Sequence, residues 1–210
     1  MPKPASQPVS PVTAQQRELH GVVRLAALSP QLTLGNVDVN VQAILAAASP
    51  LVFDQGARVI VCPELCLTGY SCADLFYLPA LRDAALGGLC DLAEATAEWQ
   101  AVLIVGLPLE VQDRLYNVAA VIAGGEILGI VPKTHLPNSG EFYERRWFSP
   151  ASTAMQDTVM VRGVEVPFGT DLIFESLDIK GLRIGVEICE DLWSVIPPSS
   201  PAALAGATVL

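Results

Sequence analysis

Three side chains of complementary chemistry each stand just past a short β-branched run. Glu64 follows Arg58-Val59-Ile60-Val61-Cys62-Pro63, Lys133 follows Gly129-Ile130-Val131-Pro132, and Cys189 follows Leu182-Arg183-Ile184-Gly185-Val186-Glu187-Ile188. Such runs predict buried strands, so all three sit where a rigid sheet ends and a pocket can begin. Cys189 has acids around it, Glu187, Glu190 and Asp191. Negative charge disfavours a thiolate, so a reactive Cys189 needs a cation from elsewhere in the chain. Lys133 is the candidate. Glu64 can take the thiol's proton, Lys133 can hold the thiolate and a developing oxyanion, and the sulfur can attack a carbonyl or nitrile carbon to give a thioester. With a primary amide the leaving group is ammonia. Glu64, or Glu141 eight residues after Lys133, then activates water, and the N–H after Cys189 is a second oxyanion donor.

Taken singly, each residue has an ordinary reading: a cysteine after a buried strand is usually core, and a lysine or glutamate in a turn is usually solvated. Their recurrence at three strand ends is the argument for a site. Glu144, Arg145 and Arg146 read as a solvated loop face or a local ion-pair cluster. Cys62, Cys66, Cys72 and Cys90 read as small core residues, because their spacing, without a neighbouring His, does not suit zinc. His20 and His135 read as structural or surface groups, so no metal site is expected.

The elements that must position these groups alternate in type, which predicts an α/β fold. A first strand is expected over Val22 to Leu28. A helix capped by Asn36 or Asp38 follows, with Val37, Val41, Ile44, Leu45 and Ala48 on one face and Pro50 ending or kinking it. Strands are expected over Arg58 to Val61 and Ala101 to Leu107. Between them a helix opens at Pro79 with Leu81, Ala85, Leu89, Leu92, Ala93 and Thr96 inward. Tyr116 to Ala123 and Glu126 to Val131 form a hairpin through a primed turn at Gly124-Gly125. Short strands over Asp171 to Phe174, Leu177 to Ile179 and Leu182 to Ile188 complete the reading, with a short helix over Pro201 to Gly206. Ala207-Thr208-Val209-Leu210 starts a strand at which the sequence stops, so the domain, residues 21–210 after a proline-rich tail over 1–20, is expected to be incomplete at its C-terminus.

Composition narrows the function classes. Hydrophobic residues make up 51% of the 210 and charged residues 16%, which supports a full core. The formal net charge of -10 argues against nucleic acid or an anionic membrane as partner, since both need a positive face. An odd number of cysteines without a signal peptide fits a reducing, cytoplasmic setting, and no apolar run is long enough for a transmembrane helix.

Three segments carry a resemblance to a known family. Cys62-Pro63-Glu64-Leu65-Cys66-Leu67-Thr68-Gly69-Tyr70, Pro132-Lys133-Thr134-His135-Leu136-Pro137-Asn138 with Glu141-Phe142-Tyr143-Glu144, and Gly185-Val186-Glu187-Ile188-Cys189-Glu190-Asp191-Leu192-Trp193 resemble, in order, the Glu, Lys and Cys motifs of the nitrilase superfamily. Ser71-Cys72-Ala73-Asp74-Leu75-Phe76, Phe142 to Phe148, Phe168-Gly169-Thr170-Asp171 and Pro197-Pro198-Ser199-Ser200 bring the likeness closest to the amino-terminal glutaminase domains of glutamine-dependent NAD synthetases. The resemblance implies an α-β-β-α four-layer sandwich, with Glu64 as base, Lys133 stabilising the intermediate and Cys189 as nucleophile toward glutamine. It implies supporting roles for Glu141, the family's second glutamate, and Glu190, and substrate contacts from Tyr70, Trp193 and Ser139, the last standing where the family commonly has a tyrosine. No cofactor is implied for this domain. ATP and Mg, with deamido-NAD, are implied for a synthetase domain that these residues do not include, and the subunits are implied to form a homo-oligomer. The residues themselves also admit a stand-alone amidase acting on another small amide, or an inactive module that only assembles with partners.

Overall fold

The computed structural model describes residues 20–210, so the expected tail over 1–20 falls almost wholly outside the described residues. Five strands form the central sheet in the order β1 (Leu25–Ala27), β2 (Val59–Val61), β3 (Val102–Val111), β4 (Arg114–Ala123), β5 (Glu126–Pro132). The first three run parallel, and β3, β4 and β5 are antiparallel neighbours. The parallel crossovers hold α1 (Val37–Phe53) and α2 (Pro79–Ala95), as a parallel pair requires a long connection.

Each helix buries the predicted stripe. Val37, Val41, Ile44 and Ala48 of α1, and Leu81, Ala85, Leu89, Leu92 and Ala93 of α2, join one face of the sheet in the larger core. Asn36 caps α1 by accepting the N–H of Val39, and Pro79 opens α2. Pro50 lies inside α1, and the helix runs three residues past it to Phe53 before ending. The opposite face of the sheet contributes Val59, Ile104, Ala119 and Val121 to a second core. That core is closed by a hairpin of β8 (Ile173–Glu175) and β9 (Arg183–Gly185), through Ile179, Leu182 and Ile184. Outside it lies α3 (Ser199–Leu204), close enough to β9 that a Cβ at Gly185 would come within 3.1 Å of the Ala202 methyl. The layers are thus helices, sheet, smaller sheet and helix, the expected α-β-β-α order. Burial on both faces is why β3 and β4 read as continuous apolar runs rather than alternating ones.

Several local expectations change. The first strand is shorter than Val22 to Leu28, and Leu177 to Ile179 is turn, not strand, with Leu177 fully exposed. There the Ser176 hydroxyl accepts the Ile179 N–H at 3.1 Å and so competes with strand pairing. A hairpin that the sequence reading passed over, β6 (Thr158–Val161) with β7 (Val164–Pro167), turns through Arg162 and Gly163, both at positive φ. Gly124 and Gly125, at φ of +58° and +84°, make the expected primed turn.

One glycine bears directly on the site. A Cβ at Gly106, in β3, would meet the Leu65 nitrogen at 2.3 Å, the Glu64 carbonyl carbon at 3.0 Å and the Pro63 oxygen at 3.1 Å. The turn carrying Glu64 is laid on this strand, held by Leu67 N–H to Gly106 O at 3.1 Å and Gly106 N–H to Cys66 Sγ at 3.3 Å. Backbone cannot swing aside as a side chain can. Gly106→Ala is therefore expected to lower unfolding stability by about 1–3 kcal/mol and to impair activity beyond that loss, as read by denaturant melts and turnover on the folded fraction.

Candidate active site

Each functional side chain leaves the sheet at the place its strand dictates. The turn after β2 delivers Glu64 and sets Leu65 at φ +53°; the chain leaving β5 delivers Lys133; and Cys189 opens the short 3-10 turn Cys189–Trp193 at φ +46°. A non-glycine residue in the left-handed region is held there at a cost of about 1–3 kcal/mol. At Cys189 that geometry makes a sharp elbow where the segment after β9 enters the 3-10 turn. Cys189 is the exposed cysteine residue, its thiol partly covered, whereas Cys66 and Cys72 are buried. Cys189 and Glu64 line one cavity of about 180 Å³, together with Cys62, Gly106, Val118 and Glu187.

Lys133 is the hub. Its side chain is fully buried, and Nζ donates to Glu64 Oε1 at 2.5 Å and to Glu144 Oε1 and Oε2 at 2.8 and 3.0 Å. Burial alone would push the amine toward neutrality, but Glu64 and Glu144 outweigh it and hold the ammonium above its ordinary pKa. Glu64 is pushed up by burial and by the charge of Glu144, while Lys133 and the Asn117 amide pull it down; burial prevails. The Cys189 thiol is raised by burial and then by the Glu64 carboxylate beside it, against the pull of Lys133. At rest the sulfur keeps its proton with an acceptor in contact. Such an arrangement can pass the proton to the carboxylate as the sulfur attacks an electrophile, rather than storing a thiolate.

The acids around Cys189 have separate duties. Asp191 is 1% exposed, and its carboxylate accepts the N–H groups of His135 at 2.6 Å, Thr134 at 3.0 Å and Ile188 at 3.0 Å. It ties the segment after Lys133 to the segment before Cys189, so two strand ends are fixed by one side chain. Glu187 accepts the N–H of Ser199 at the start of α3 at 2.9 Å, and Glu190 is half-buried. The charge that burdens the thiol comes from Glu64 and Glu144, not from these sequence neighbours.

Of the two readings of Glu144, a solvated loop face or a local ion-pair cluster, the structure shows the second: it is 1% exposed and paired with Lys133. Glu141, expected in a supporting role, is exposed. The segment turns between the two residues: Glu144 N–H reaches Pro137 O at 3.1 Å, and its own carbonyl caps the 3-10 turn Glu144–Arg146 by accepting from Trp147 and Phe148. Arg146 instead forms a two-pronged pair with Asp74 at the surface. Tyr70 donates to Glu144 Oε1 at 2.7 Å, so it stands behind the second carboxylate. Ser139 and Trp193, expected at the substrate, are exposed, and neither lines the cavity that Glu64 and Cys189 share. Asn117 and Asp191 were not singled out as site residues. A buried amide amid the apolar run of β4 was the available signal for Asn117, since an interior amide demands a partner.

Among the described residues no group of three or more His, Cys, Asp or Glu side chains could hold a metal ion, and no helix is long and apolar enough to cross a membrane.

Comparison with known proteins places this geometry in context. The family described as carbon-nitrogen hydrolase matches residues 23–210. The glutamine-dependent NAD(+) synthetase of Mycobacterium tuberculosis is 45% identical over 91% of this chain, which corresponds to 28% of that protein. The crystal structure of a glutamine-dependent NAD(+) synthetase from Cytophaga hutchinsonii superimposes with a TM-score of 0.72 at 30% identity, over 80% of this chain and 28% of that one. An amidase from Nesterenkonia shares the fold, with a TM-score of 0.64 at 21% identity over 88% of this chain and 62% of its own. The chain thus spans a little over a quarter of the length of the synthetases it matches.

Proposed function

The chain belongs to the carbon-nitrogen hydrolase family, and from that premise we propose that it is the glutamine-hydrolysing part of a glutamine-dependent NAD synthetase. The observation that carries the reading is Lys133 held between Glu64 and Glu144, with Cys189 opening on the cavity that Glu64 lines. The 45% identity to a synthetase of that name supports glutamine as the substrate.

In this mechanism Glu64 takes the thiol proton as Cys189 Sγ attacks the side-chain amide carbon of glutamine. The Lys133 ammonium and the N–H of Glu190 receive the oxyanion. Glu64 returns the proton to the nitrogen, the C–N bond breaks, and ammonia leaves a γ-glutamyl thioester on Cys189. Water, deprotonated by Glu64, attacks the thioester carbon; glutamate departs and the thiol regains its proton. Glu144 touches no reacting atom and keeps the lysine charged and in place. The ammonia then serves an ATP- and magnesium-dependent amidation of deamido-NAD, assigned to the stretch of the synthetases that this chain does not match.

Acid quenching during turnover, followed by mass spectrometry, tests the reading. Glutamine is expected to leave a glutamyl adduct on the peptide containing Cys189, absent in Cys189→Ala. No adduct and no ammonia from glutamine, with both seen from a simple aliphatic amide, would overturn it in favour of a stand-alone amidase.

A further inference from the structure

Glu64 has two carboxylate oxygens, and a general base uses one. Asn117 Nδ2 at 2.6 Å and Lys133 Nζ at 2.5 Å both donate to Oε1, and neither donates to Oε2. Asn117 is 1% exposed, between buried Tyr116 and Val118 in β4. Its backbone carbonyl accepts the N–H of Lys133 at 2.8 Å, so one residue holds the base by its side chain and the lysine by its main chain. An amide is an expensive occupant of this strand. Its Oδ1 is buried and accepts no hydrogen bond from the described residues, an omission that leucine, close in volume, would avoid. What leucine lacks is the Nδ2 donor.

We infer that Asn117 is a positioning residue for proton transfer, which together with Lys133 occupies Glu64 Oε1 and so presents Oε2 to the Cys189 thiol. The inference rests on the acid–base roles given above. Lys133 does not suffice for this alone, because its ammonium is shared with both oxygens of Glu144. A neutral donor favours the ionised carboxylate without adding charge to the pocket. The ionisable groups facing Glu64 are Lys133 beyond β5, Glu144 on its 3-10 turn, Cys189 on its elbow and Tyr70 after the β2 turn, with Cys62 and Glu187 lining the same cavity. Of these Lys133 draws the Glu64 proton off and Glu144 holds it on, so the amide adds to the side of the lysine.

The test follows the alkylation of Cys189 by iodoacetamide against pH in the full protein, with labelling located by peptide mass. A thiol coupled to a carboxylate gives two inflections, the lower belonging to the acid step of the pair. In Asn117→Leu, and in the smaller, equally neutral Asn117→Ala should the leucine variant not fold, the lower inflection is expected to move up by about one pH unit. The acid limb of kcat/KM for glutamine should move with it, and the rate at the optimum should fall about 10- to 100-fold. An unmoved lower inflection in a folded variant overturns the inference, even if turnover falls, because a merely structural role would leave it in place. The alkylation readout needs no substrate, so a protein that ignores glutamine refutes the glutaminase reading without touching this one.

Discussion

Replacing Lys133 by methionine is expected to abolish turnover and to unfold the protein more readily, the larger stability effect among the substitutions considered. The side chain is fully buried and neutralises two carboxylates whose own side chains are 14% and 2% exposed. Removing one partner of a buried ion pair costs about 3–5 kcal/mol, because the remaining charge loses its compensation. Here Glu64 would face Glu144 with no cation between them, so the charge that already raises the Glu64 pKa acts without the opposing pull of Lys133. Glu64 should take up a proton on folding and, once neutral, cannot serve as base. Turnover should fall at least 10³-fold. The double variant Lys133→Met with Glu144→Gln separates the two consequences: removing the second carboxylate should restore much of the denaturation midpoint and none of the ammonia release. A single variant with the wild-type midpoint would sink the account of Lys133 as a hub.

The second large effect belongs to Glu64→Gln, where rate and reactivity should part company. Amide hydrolysis is expected to drop about 10²- to 10⁴-fold, the share that a positioned general base supplies. The thiol should nevertheless ionise more easily, since Glu64 is among the groups that raise it while Lys133, which lowers it, remains. The two-step alkylation profile of Cys189 should collapse to one inflection, lying below the upper one of the wild type. Cys189 is the exposed cysteine residue, so labelling should reach it before buried Cys66 and Cys72. Should the variant keep both inflections, Glu64 is not the group in contact with the sulfur.

Much of the scaffold was legible because its signals are local. The α1 and α2 stripes, the Asn36 cap, Pro79 at the start of α2 and the Gly124-Gly125 turn follow from period, capping and positive φ. Glu64, Lys133 and Cys189 were visible as polar groups past β-branched runs. What stayed hidden depends on distant contacts. Glu144 looked solvated because Arg145 and Arg146 follow it, yet its neighbours in space are Lys133 and Tyr70, the latter 74 residues away. In sequence Asp191 reads as a burden on the thiol, whereas its bonds run to Thr134 and His135, 57 and 56 residues distant. Leu177 to Ile179 carried strand-like residues, but a serine hydroxyl captured the backbone first.

The cluster of one ammonium and two carboxylates has a further consequence for the reaction. When the proposed proton transfer moves hydrogen from sulfur to Glu64, the total ionic content of the enclosure is unaltered; negative charge only migrates from carboxylate to sulfur and on to the substrate oxygen. Lys133 touches the carboxylate end of that path and acts on the sulfur through its charge, so the interior never has to accommodate an additional ion, and added electrolyte should leave the chemical step nearly untouched.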